Sequence, residues 1–281
     1  MESERSENES WIRVLTLNAH QGMRAGHRHS HLLRIRNALR TSRADLVFLQ
    51  EIGAAAGRGT DVLQFEVLAD GVWTQHAYGR NTAVTGGHHG NALLSRHPIT
   101  TWRNVDASVG KAEPRGLLHA VIDLKGKPLH AICLHLALRE SHRRRQIDRL
   151  LALAQEIPDG APLVIAGDFN DWRERAHRKL IDSGLEEVHA SETGRPARTF
   201  PARAPWLRLD RIYVRNVRHR PVKVNPRDWR MLSDHLPLAA ELGTGARPEI
   251  LFHQDDEAHE RTGRRSRAGN LEPLTSVSSD E

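Results

Sequence analysis

Short apolar runs recur along the first 243 residues, and polar or turn-forming residues bound each of them. They contain many Val, Ile and Leu side chains and few charges. Runs of this length and composition are typical of strands buried on both faces of a sheet. The predicted strands are residues 11–17, 46–50, 130–136 and 163–166, with weaker candidates at 209–214 and 236–240.

Two stretches carry apolar residues at helical spacing. Residues 141–157 predict a helix with Ser141 as its N-cap and a Pro-Asp-Gly sequence after its last turn. The arginines between Arg143 and Arg149 cluster in its first half. We interpret them as a solvated face, with a binding surface as the alternative. A second helix is predicted over residues 30–41.

The alternation of strand and helix patterns predicts one α/β domain over residues 11–243. The sequence of this predicted domain contains no internal repeat. Residues 1–10 and 244–281 are polar, charged and rich in Ser, and they show no lasting apolar period. Segments of this kind bury too little apolar surface to fold, so we predict a disordered tail on each side of the domain.

The composition agrees with a folded protein that remains in the cytoplasm. Hydrophobic residues make up 38% of the 281 positions, which is enough for a core, and no apolar run approaches the roughly 20 residues of a membrane-spanning helix. The N-terminus lacks the apolar segment of a signal peptide. One cysteine, Cys133, excludes an internal disulfide framework and a zinc site built on several cysteines.

Positive charge is concentrated in the predicted domain. Residues 11–243 hold 35 basic and 23 acidic side chains, a net charge of +12, whereas each predicted tail carries −3. A cationic body favours a partner that bears phosphate, namely a nucleic acid, a nucleotide or an anionic lipid. Charge alone does not choose among them.

Polar side chains that chemistry can use follow the apolar runs repeatedly. In α/β sheets ligands bind beyond the ends of strands, so residues far apart in sequence can converge there. Carboxylates and amide oxygens suit a hard cation such as Mg²⁺ or Mn²⁺, and histidines suit proton transfer and stabilisation of a phosphoryl group. The pattern therefore indicates hydrolysis of a phosphate ester. The candidate residues are Asn18, Glu51, His135, Asp168, Asn170, Asp210, Asp234 and His235.

Several short motifs, in this order along the chain, resemble the endonuclease/exonuclease/phosphatase (DNase I-like) superfamily. The most specific are Gly-Asp-Phe-Asn at 167–170 and Ser-Asp-His at 233–235. Residues 78–81, 87–91, 111–116 and 167–172 are closer still to one bacterial branch of unassigned substrate. The resemblance implies a four-layer α/β sandwich, in which two mixed sheets pack face to face with helices outside, and metal-dependent hydrolysis. Other matching motifs are Leu-Asn at 17–18, Leu-Gln-Glu at 49–51, residues 90–99, Leu-His-Leu at 134–136 and Leu-Asp-Arg-Ile at 209–212.

The resemblance also implies a metal site and its cation. Glu51 is implied as the principal ligand, with Asn18 and Asp234 near the same ion. Mg²⁺ is the expected cofactor, with Mn²⁺ as an alternative. Arg115 is implied to meet the phosphate of the substrate, where a guanidinium can form two parallel hydrogen bonds.

Further roles are implied around the reacting phosphate. Asp168 is expected to orient or deprotonate the attacking water, and Asn170 to bind a non-bridging oxygen. His235 is expected to contact the scissile phosphate while Asp210 holds its imidazole in the useful tautomer. His135 is expected to be a second phosphate-binding or acid group.

Two departures from the superfamily pattern limit this transfer of roles. His20 stands where the abasic-site endonuclease branch has an acid two residues after the Asn. Residues 71–105 contain no Asp or Glu, so the acid that supports the histidine matching His135 in secreted deoxyribonucleases is absent there. His89 and Asn91 lie in this region, and we consider them as substrate-binding residues, with a flexible turn as the alternative.

The leading hypothesis is a Mg²⁺-dependent phosphodiesterase that acts on nucleic acid. An alternative substrate is a phospholipid, sphingolipid or inositol phosphate headgroup, which exposed aromatic residues near the site would favour. We expect Trp73, Trp102, Trp206 and Trp229 to belong to the core instead. An alternative from another class is a catalytically silent binding module, which the complete set of acidic and histidine positions disfavours.

Overall fold

Two mixed β-sheets pack face to face between outer layers of helices, which confirms the predicted four-layer α/β sandwich. The computed structural model describes residues 10–20, 28–55, 62–84 and 87–244. Each sheet has one parallel pair of adjacent strands, and its other pairings are antiparallel. Several of the candidate site residues described below lie at the ends of these two parallel pairs.

The first sheet contains the N-terminal strand at its centre. Its strands run in the order β12–β13–β1–β2–β5–β4, and the short β3 pairs with the end of β2. β1 and β2 are parallel, with Asn18 opposite Gln50. The strands are β1 (Trp11–Asn18), β2 (Leu46–Ala55), β3 (Val62–Leu63), β4 (Gln75–Val84), β5 (Gly87–Ser95), β12 (Arg218–Val222) and β13 (Leu238–Gly243).

The second sheet has the order β10–β11–β9–β8–β7–β6. β8 and β9 are parallel, and β11 is antiparallel to β9. All six residues of β9 are buried, as its continuous apolar run predicts. The strands are β6 (Ile99–Asp106), β7 (Gly116–Asp123), β8 (Pro128–His135), β9 (Leu163–Asp168), β10 (Glu186–Glu187) and β11 (Asp210–Arg215).

Alternating side chains of both sheets form the central core. Val14 and Phe48 of the first sheet belong to the same buried cluster as Cys133 and Ile212 of the second. Because successive side chains of a strand point to opposite faces, the other half of each strand packs against the outer helices. α1 and α2 cover the first sheet, and α3 and α4 cover the second. The helices are α1 (Arg28–Ser42), α2 (Gln64–Ala69), α3 (Glu140–Gln155), α4 (Arg175–Asp182), α5 (Val188–Thr193) and α6 (Pro226–Trp229).

The predicted N-cap of α3 was wrong by two residues. Arg139 is the N-cap, in an extended conformation, and Ser141 lies inside the first turn. The reason is the Arg143 side chain, which donates to the carbonyl oxygens of Ala137 and Leu138 and so fixes the chain before the helix.

Arg143 also corrects the interpretation of the arginine cluster as a solvated face. This side chain is buried, and its guanidinium lies over the ring of Trp172 at 4.9 Å from the centroid. Arg211, which is fully buried, donates from Nη1 to the Oδ2 atom of Asp171 at 3.2 Å. The same Oδ2 atom accepts from the backbone N–H of Ala176 in α4, so Asp171 connects the end of β9 to this helix.

The predicted tails fall almost entirely outside the described residues. At their inner ends, the backbone N–H of Thr244 donates to the carbonyl oxygen of Ser10, which continues the pairing of β13 with β1 by one residue. No helix in the described part of the chain is long and apolar enough to cross a membrane.

Candidate active site

The two parallel strand pairs end at the same edge of the sandwich. Asn18 ends β1 in the first sheet, and His135 and Asp168 end β8 and β9 in the second. The amide Nδ2 of Asn18 donates to Asp168 Oδ2 at 3.1 Å, so the two sheets are joined there by a side-chain hydrogen bond. Residues separated by 150 positions therefore meet in one place.

A local irregularity in β2 exposes Glu51. The pairing of β2 with β5 shifts register between Leu49 and Ile52, and Glu51 has a φ of 55°, in the left-handed region. Bulges of this kind redirect a side chain at a strand end. The Glu51 carboxylate accepts a hydrogen bond from Asn18 Nδ2 at 3.3 Å.

The glycine of the Gly-Asp-Phe-Asn motif is required by close packing of the backbone. A Cβ on Gly167 would lie 2.0 Å from the carbonyl oxygen of Leu134 in the neighbouring strand. This close approach accompanies a register in which Asp168 lies opposite His135 on one side and Asp210 on the other. The Nε2 atom of His135 is 3.4 Å from Asp168 Oδ2.

Asn170 follows in a left-handed conformation with a φ of 49°. Its backbone N–H donates to Asp168 Oδ1 at 2.9 Å, and its amide Nδ2 donates to the carbonyl oxygen of Leu136. An amide nitrogen carries two N–H groups, so the second remains for a ligand.

His235 is held by a buried carboxylate. Its Nδ1 atom donates to Asp210 Oδ2 at 2.8 Å, and the ring packs against Phe200 with centroids 4.9 Å apart. Burial alone lowers the pKa of His235, but the carboxylates of Asp210, Asp168 and Asp234 outweigh it and raise the pKa to about 10. The imidazole is therefore positively charged at neutral pH, and its Nε2–H is free to face a ligand.

The pKa of His135 is shifted in the opposite direction from that of His235. Burial lowers its pKa to about 3, and the attraction of Asp168 only partly offsets this. His135 is therefore neutral. Its carboxylate neighbours are Asp168 and, with Nδ1 to Oε1 at 4.0 Å, Glu51.

These side chains surround one cavity of about 670 Å³. Nine of the eleven residues predicted from the sequence line it: Asn18, Glu51, His89, Arg115, His135, Asp168, Asn170, Asp234 and His235. Asp210 lies behind His235 and does not reach the cavity.

Asn91 is not part of this wall. It is fully buried, and its amide nitrogen donates to the carbonyl oxygens of Gly116 and Cys133, so it links β5 to the second sheet. His89, two residues earlier, does line the cavity and belongs to the regular strand β5 rather than to a turn.

Glu113 is a cavity residue that was not among the predicted site residues, although it lies within the motif at 111–116. Its carboxylate accepts a hydrogen bond from Arg115 Nη2 at 2.8 Å and lies 3.7 Å from His89 Nε2. Arg115 and His89 are both buried, and this acid is the charged group that faces both of them.

Aromatic and apolar side chains also line the cavity. Trp206 is 63% exposed, and Trp172 and Leu138 are exposed as well. The expectation that the tryptophans belong to the core was therefore wrong for Trp206 and for Trp102, which is exposed on the edge strand β6. It was correct for Trp73 and Trp229, as both are buried. The position of Trp172 directly after the Gly-Asp-Phe-Asn-Asp sequence was a signal that could have placed it at the site.

The donor set fits a hard cation. Glu51, Asp234 and Asn18 all face the cavity and offer carboxylate and amide oxygens, which such ions prefer. His20 lies between the two acids, with its Nδ1 atom 3.5 Å from Asp234 Oδ2 and 3.8 Å from Glu51 Oε2. A second set, Asp168, Asp210 and His235, has donor atoms within 4.8 Å of one another. We favour the first, because Asp210 already binds His235 and does not face the cavity.

The sequence profile of the Endonuclease/Exonuclease/phosphatase family matches residues 15–235. The chain is 47% identical over 242 residues to the uncharacterized protein YbhP of Escherichia coli (strain K12), which covers 82% of this chain and 96% of YbhP.

Two solved structures are similar in fold. The endonuclease/exonuclease/phosphatase from Beutenbergia cavernae DSM 12333 has a TM-score of 0.66 and 20% identity, over 84% of this chain and 72% of that one. TDP2 of D. rerio, in complex with a single strand DNA product, has a TM-score of 0.62 and 17% identity, over 83% and 98% of the two chains.

Proposed function

The chain belongs to the endonuclease/exonuclease/phosphatase family, as its motifs predicted, and is a hydrolase of the phosphoesterase type; on that premise we propose that it is a Mg²⁺-dependent phosphodiesterase that cleaves nucleic acid. The observation that carries the proposal is one cavity in which several carboxylates, a neutral histidine, a positively charged histidine and a buried arginine converge. Those are the groups that hydrolysis of a phosphodiester requires.

Glu51, Asp234 and Asn18 would hold the cation. When bound there, Mg²⁺ would stabilise negative charge on the phosphoryl oxygens and lower the pKa of a coordinated water. Glu51 is suited to be the main ligand because its side chain is directed outward by the irregularity of β2 rather than by a flexible loop. Mn²⁺ prefers similar oxygen donors and is expected to substitute.

Asp168 would orient the attacking water and accept its proton. Its Oδ2 atom is contacted by Asn18 Nδ2 at 3.1 Å and by His135 Nε2 at 3.4 Å, so the carboxylate is held in one position. A carboxylate fixed in this way can act as a general base without reorganisation. The neutral His135 lies beside this carboxylate without adding a charge.

His235, Arg115 and Asn170 would bind the phosphate. With Nδ1 bound to Asp210, the Nε2–H of His235 can donate to a non-bridging oxygen, and the charge of the ring favours the anion. Arg115 can donate two parallel hydrogen bonds once its guanidinium exchanges Glu113 for the phosphate. The second N–H of the Asn170 amide adds a neutral donor.

Nucleic acid is favoured as the substrate by charge and by the aromatic wall. The domain carries +12, and Trp172 and Trp206 expose ring surface on which bases can stack. The structurally similar TDP2 of D. rerio was solved with a single strand DNA product. A lipid headgroup is the second candidate, since Leu138 is 66% exposed, lines the same cavity as Trp206 and could contact acyl chains.

The test is a metal-supplemented screen of the purified protein. It compares duplex, abasic and single-stranded DNA, RNA, sphingomyelin, phosphatidylinositol phosphates and bis-p-nitrophenyl phosphate, with Mg²⁺ or Mn²⁺ and with EDTA. Glu51→Gln should abolish hydrolysis at every Mg²⁺ concentration and leave the circular dichroism spectrum unchanged. Glu66→Gln, on the exposed face of α2, is the matched control and should retain activity. Wild-type activity of Glu51→Gln across the titration would refute the assignment.

A further inference from the structure

A second cavity adjoins the active site on the side of Arg115. It has a volume of about 600 Å³ and shares Glu113, Arg115 and Leu138 with the catalytic cavity. One wall is the loop of residues 109–113, and the other is the beginning of α3 with the residues before it. The guanidinium of Arg115 therefore lies where the two cavities meet.

This second cavity is strongly cationic. Lys111, Arg139 and Arg145 line it together with Arg115, and Glu113 is its one acidic lining residue. Within the described part of the chain, no carboxylate lies within 4.0 Å of the charged groups of Lys111, Arg139 or Arg145. Exposed arginines elsewhere do have such partners: Arg103 is paired with Glu156. Cations gathered in a concave site without acids favour an anionic ligand.

The walls of the cavity are tied together beneath it. Gln146 of α3 accepts a hydrogen bond from the backbone N–H of Ala137 at 2.8 Å and donates to the carbonyl oxygen of Ala107 at 3.2 Å. Arg149 donates to the carbonyl oxygen of Ser108 at 2.6 Å. The helix that carries Arg145, with Arg139 as its N-cap, is thus bonded to the start of the loop that carries Lys111, so the backbone positions of these cations are set before a ligand arrives.

We propose that this second cavity is a phosphate-binding subsite for the backbone phosphate next to the scissile one in a nucleic acid strand. The inference rests on the proposed phosphodiesterase function, because Arg115 connects the two sites. A strand whose scissile phosphate binds Arg115 would place its neighbouring phosphate among Lys111, Arg139 and Arg145, with half-buried His142 as a further donor. A headgroup with one phosphate would leave the subsite empty.

The shape of the site favours a strand over a membrane surface. The cations line a cavity between two walls, where a single backbone phosphate fits, whereas a bilayer is flat and is bound best by protruding side chains. A third cavity of about 420 Å³ shares His20 and Asp234 with the catalytic cavity and is lined by Arg203 and Arg230. Cationic depressions thus adjoin the catalytic cavity at two different parts of its wall, as a ligand that extends beyond the scissile bond requires.

Binding of a fluorescent single-stranded DNA 12-mer tests the subsite in EDTA, so that no cleavage occurs. Anisotropy is measured between 50 and 300 mM NaCl for the wild type and for the double variant Arg139→Gln/Arg145→Gln. The matched control is Arg144→Gln/Arg178→Gln, which removes two exposed positive charges outside all three cavities. We expect the cavity variant to bind at least tenfold more weakly at low salt. The slope of log K for association against log [NaCl] should become shallower by about 0.7, because the variant loses one phosphate contact and each single-strand phosphate contact contributes about 0.7. The control should change the slope by less than half as much.

Turnover then separates this inference from the proposed function. In Mg²⁺, kcat/KM of the cavity variant should fall at least tenfold more for the 12-mer than for bis-p-nitrophenyl phosphate. Equal losses on both substrates, or equal weakening by the control, would overturn the subsite. Unchanged 12-mer binding with lost binding to phosphatidylglycerol vesicles would overturn it in favour of a lipid surface. If the wild type hydrolyses neither substrate, the proposed function fails, and the binding experiment still decides the subsite.

Discussion

Replacing Asp210 by Asn tests whether this buried carboxylate acts through His235. The substitution keeps the size of the side chain and removes its charge. In the wild type, Asp210 Oδ2 accepts the Nδ1–H of His235 at 2.8 Å, and Asp210 is fully buried. If the Asn amide nitrogen donates to Nδ1, the ring is neutral and carries its proton on Nε2. If the amide oxygen accepts from Nδ1 of a neutral ring, Nε2 presents a lone pair to the phosphate. Both outcomes remove the positive donor that faces the cavity.

The expected loss follows from the strength of the bond. A hydrogen bond to a charged group contributes about 1.5–3 kcal/mol, and each 1.36 kcal/mol is a factor of ten in rate. Asp210→Asn should therefore lower kcat/KM by roughly 10–10². His235→Ala removes the donor altogether and should lower it by roughly 10²–10⁴, the usual range for a positioned acid–base group. Because Asp210 does not line the cavity, it should add almost nothing once His235 is gone.

The assay is kcat/KM for bis-p-nitrophenyl phosphate in saturating Mg²⁺, for both single variants and the double variant. The double variant should lie within about threefold of His235→Ala, because the two residues act as a unit. Losses that multiply would refute the reasoning, as would a fully active Asp210→Asn protein. Thermal unfolding of each variant, with exposed Asp228→Asn as a control, separates a loss of activity from a loss of fold.

Three further predictions concern stability. Burial raises the pKa of Glu187 from 4.5 to about 7, so the folded protein retains a proton that the unfolded chain loses. The free energy of unfolding should therefore fall as pH rises from 4.5 to 7. In Glu187→Gln this fall should be smaller by roughly 3 kcal/mol, measured by urea unfolding at pH 4 and 8. Asp171→Asn leaves Arg211 buried beside a neutral partner and should destabilise the fold by about 3–5 kcal/mol in the same assay. Gly167→Ala places a Cβ against the Leu134 carbonyl oxygen and should prevent folding, with loss of soluble expression as the readout; a stable Gly167→Ala protein would contradict the close approach of the two strands.

The strands that the sequence predicts most clearly are buried on both faces, although the largely buried β5 and β7 were missed. The apolar runs correspond to β1, β2, β8 and β9, the central strands of the two sheets. Five longer strands were not predicted: β4, β5, β6, β7 and β12. The edge strand β6 is largely exposed along its length and therefore lacks an apolar pattern. Such a strand is held by pairing with its neighbour, β7, which no local periodicity records.

The same distinction explains which site residues could be predicted. Asn18, His135 and Asp168 come directly after buried runs, so a local pattern marks their positions and the parallel pairing brings them together. Asn91 lies within a motif, but its backbone is inside β5 and its side chain bonds the second sheet. Sequence proximity to a motif therefore does not distinguish a residue that faces the cavity from one that supports it.

The surroundings of the candidate site residues depend on contacts between segments distant in sequence, and local sequence patterns do not predict these contacts. Arg143 and Arg145 are two residues apart on one helix, in a run of arginines, and the local sequence does not distinguish them. In the structure Arg143 is buried, bonded to Ala137 and Leu138, whereas Arg145 is exposed in the cationic cavity. The buried arginine fixes the segment that enters α3, and the exposed one is left for a ligand. A solvated face was therefore the wrong interpretation for the first arginine, and the second carries the binding role proposed above, which the salt dependence of strand binding will test.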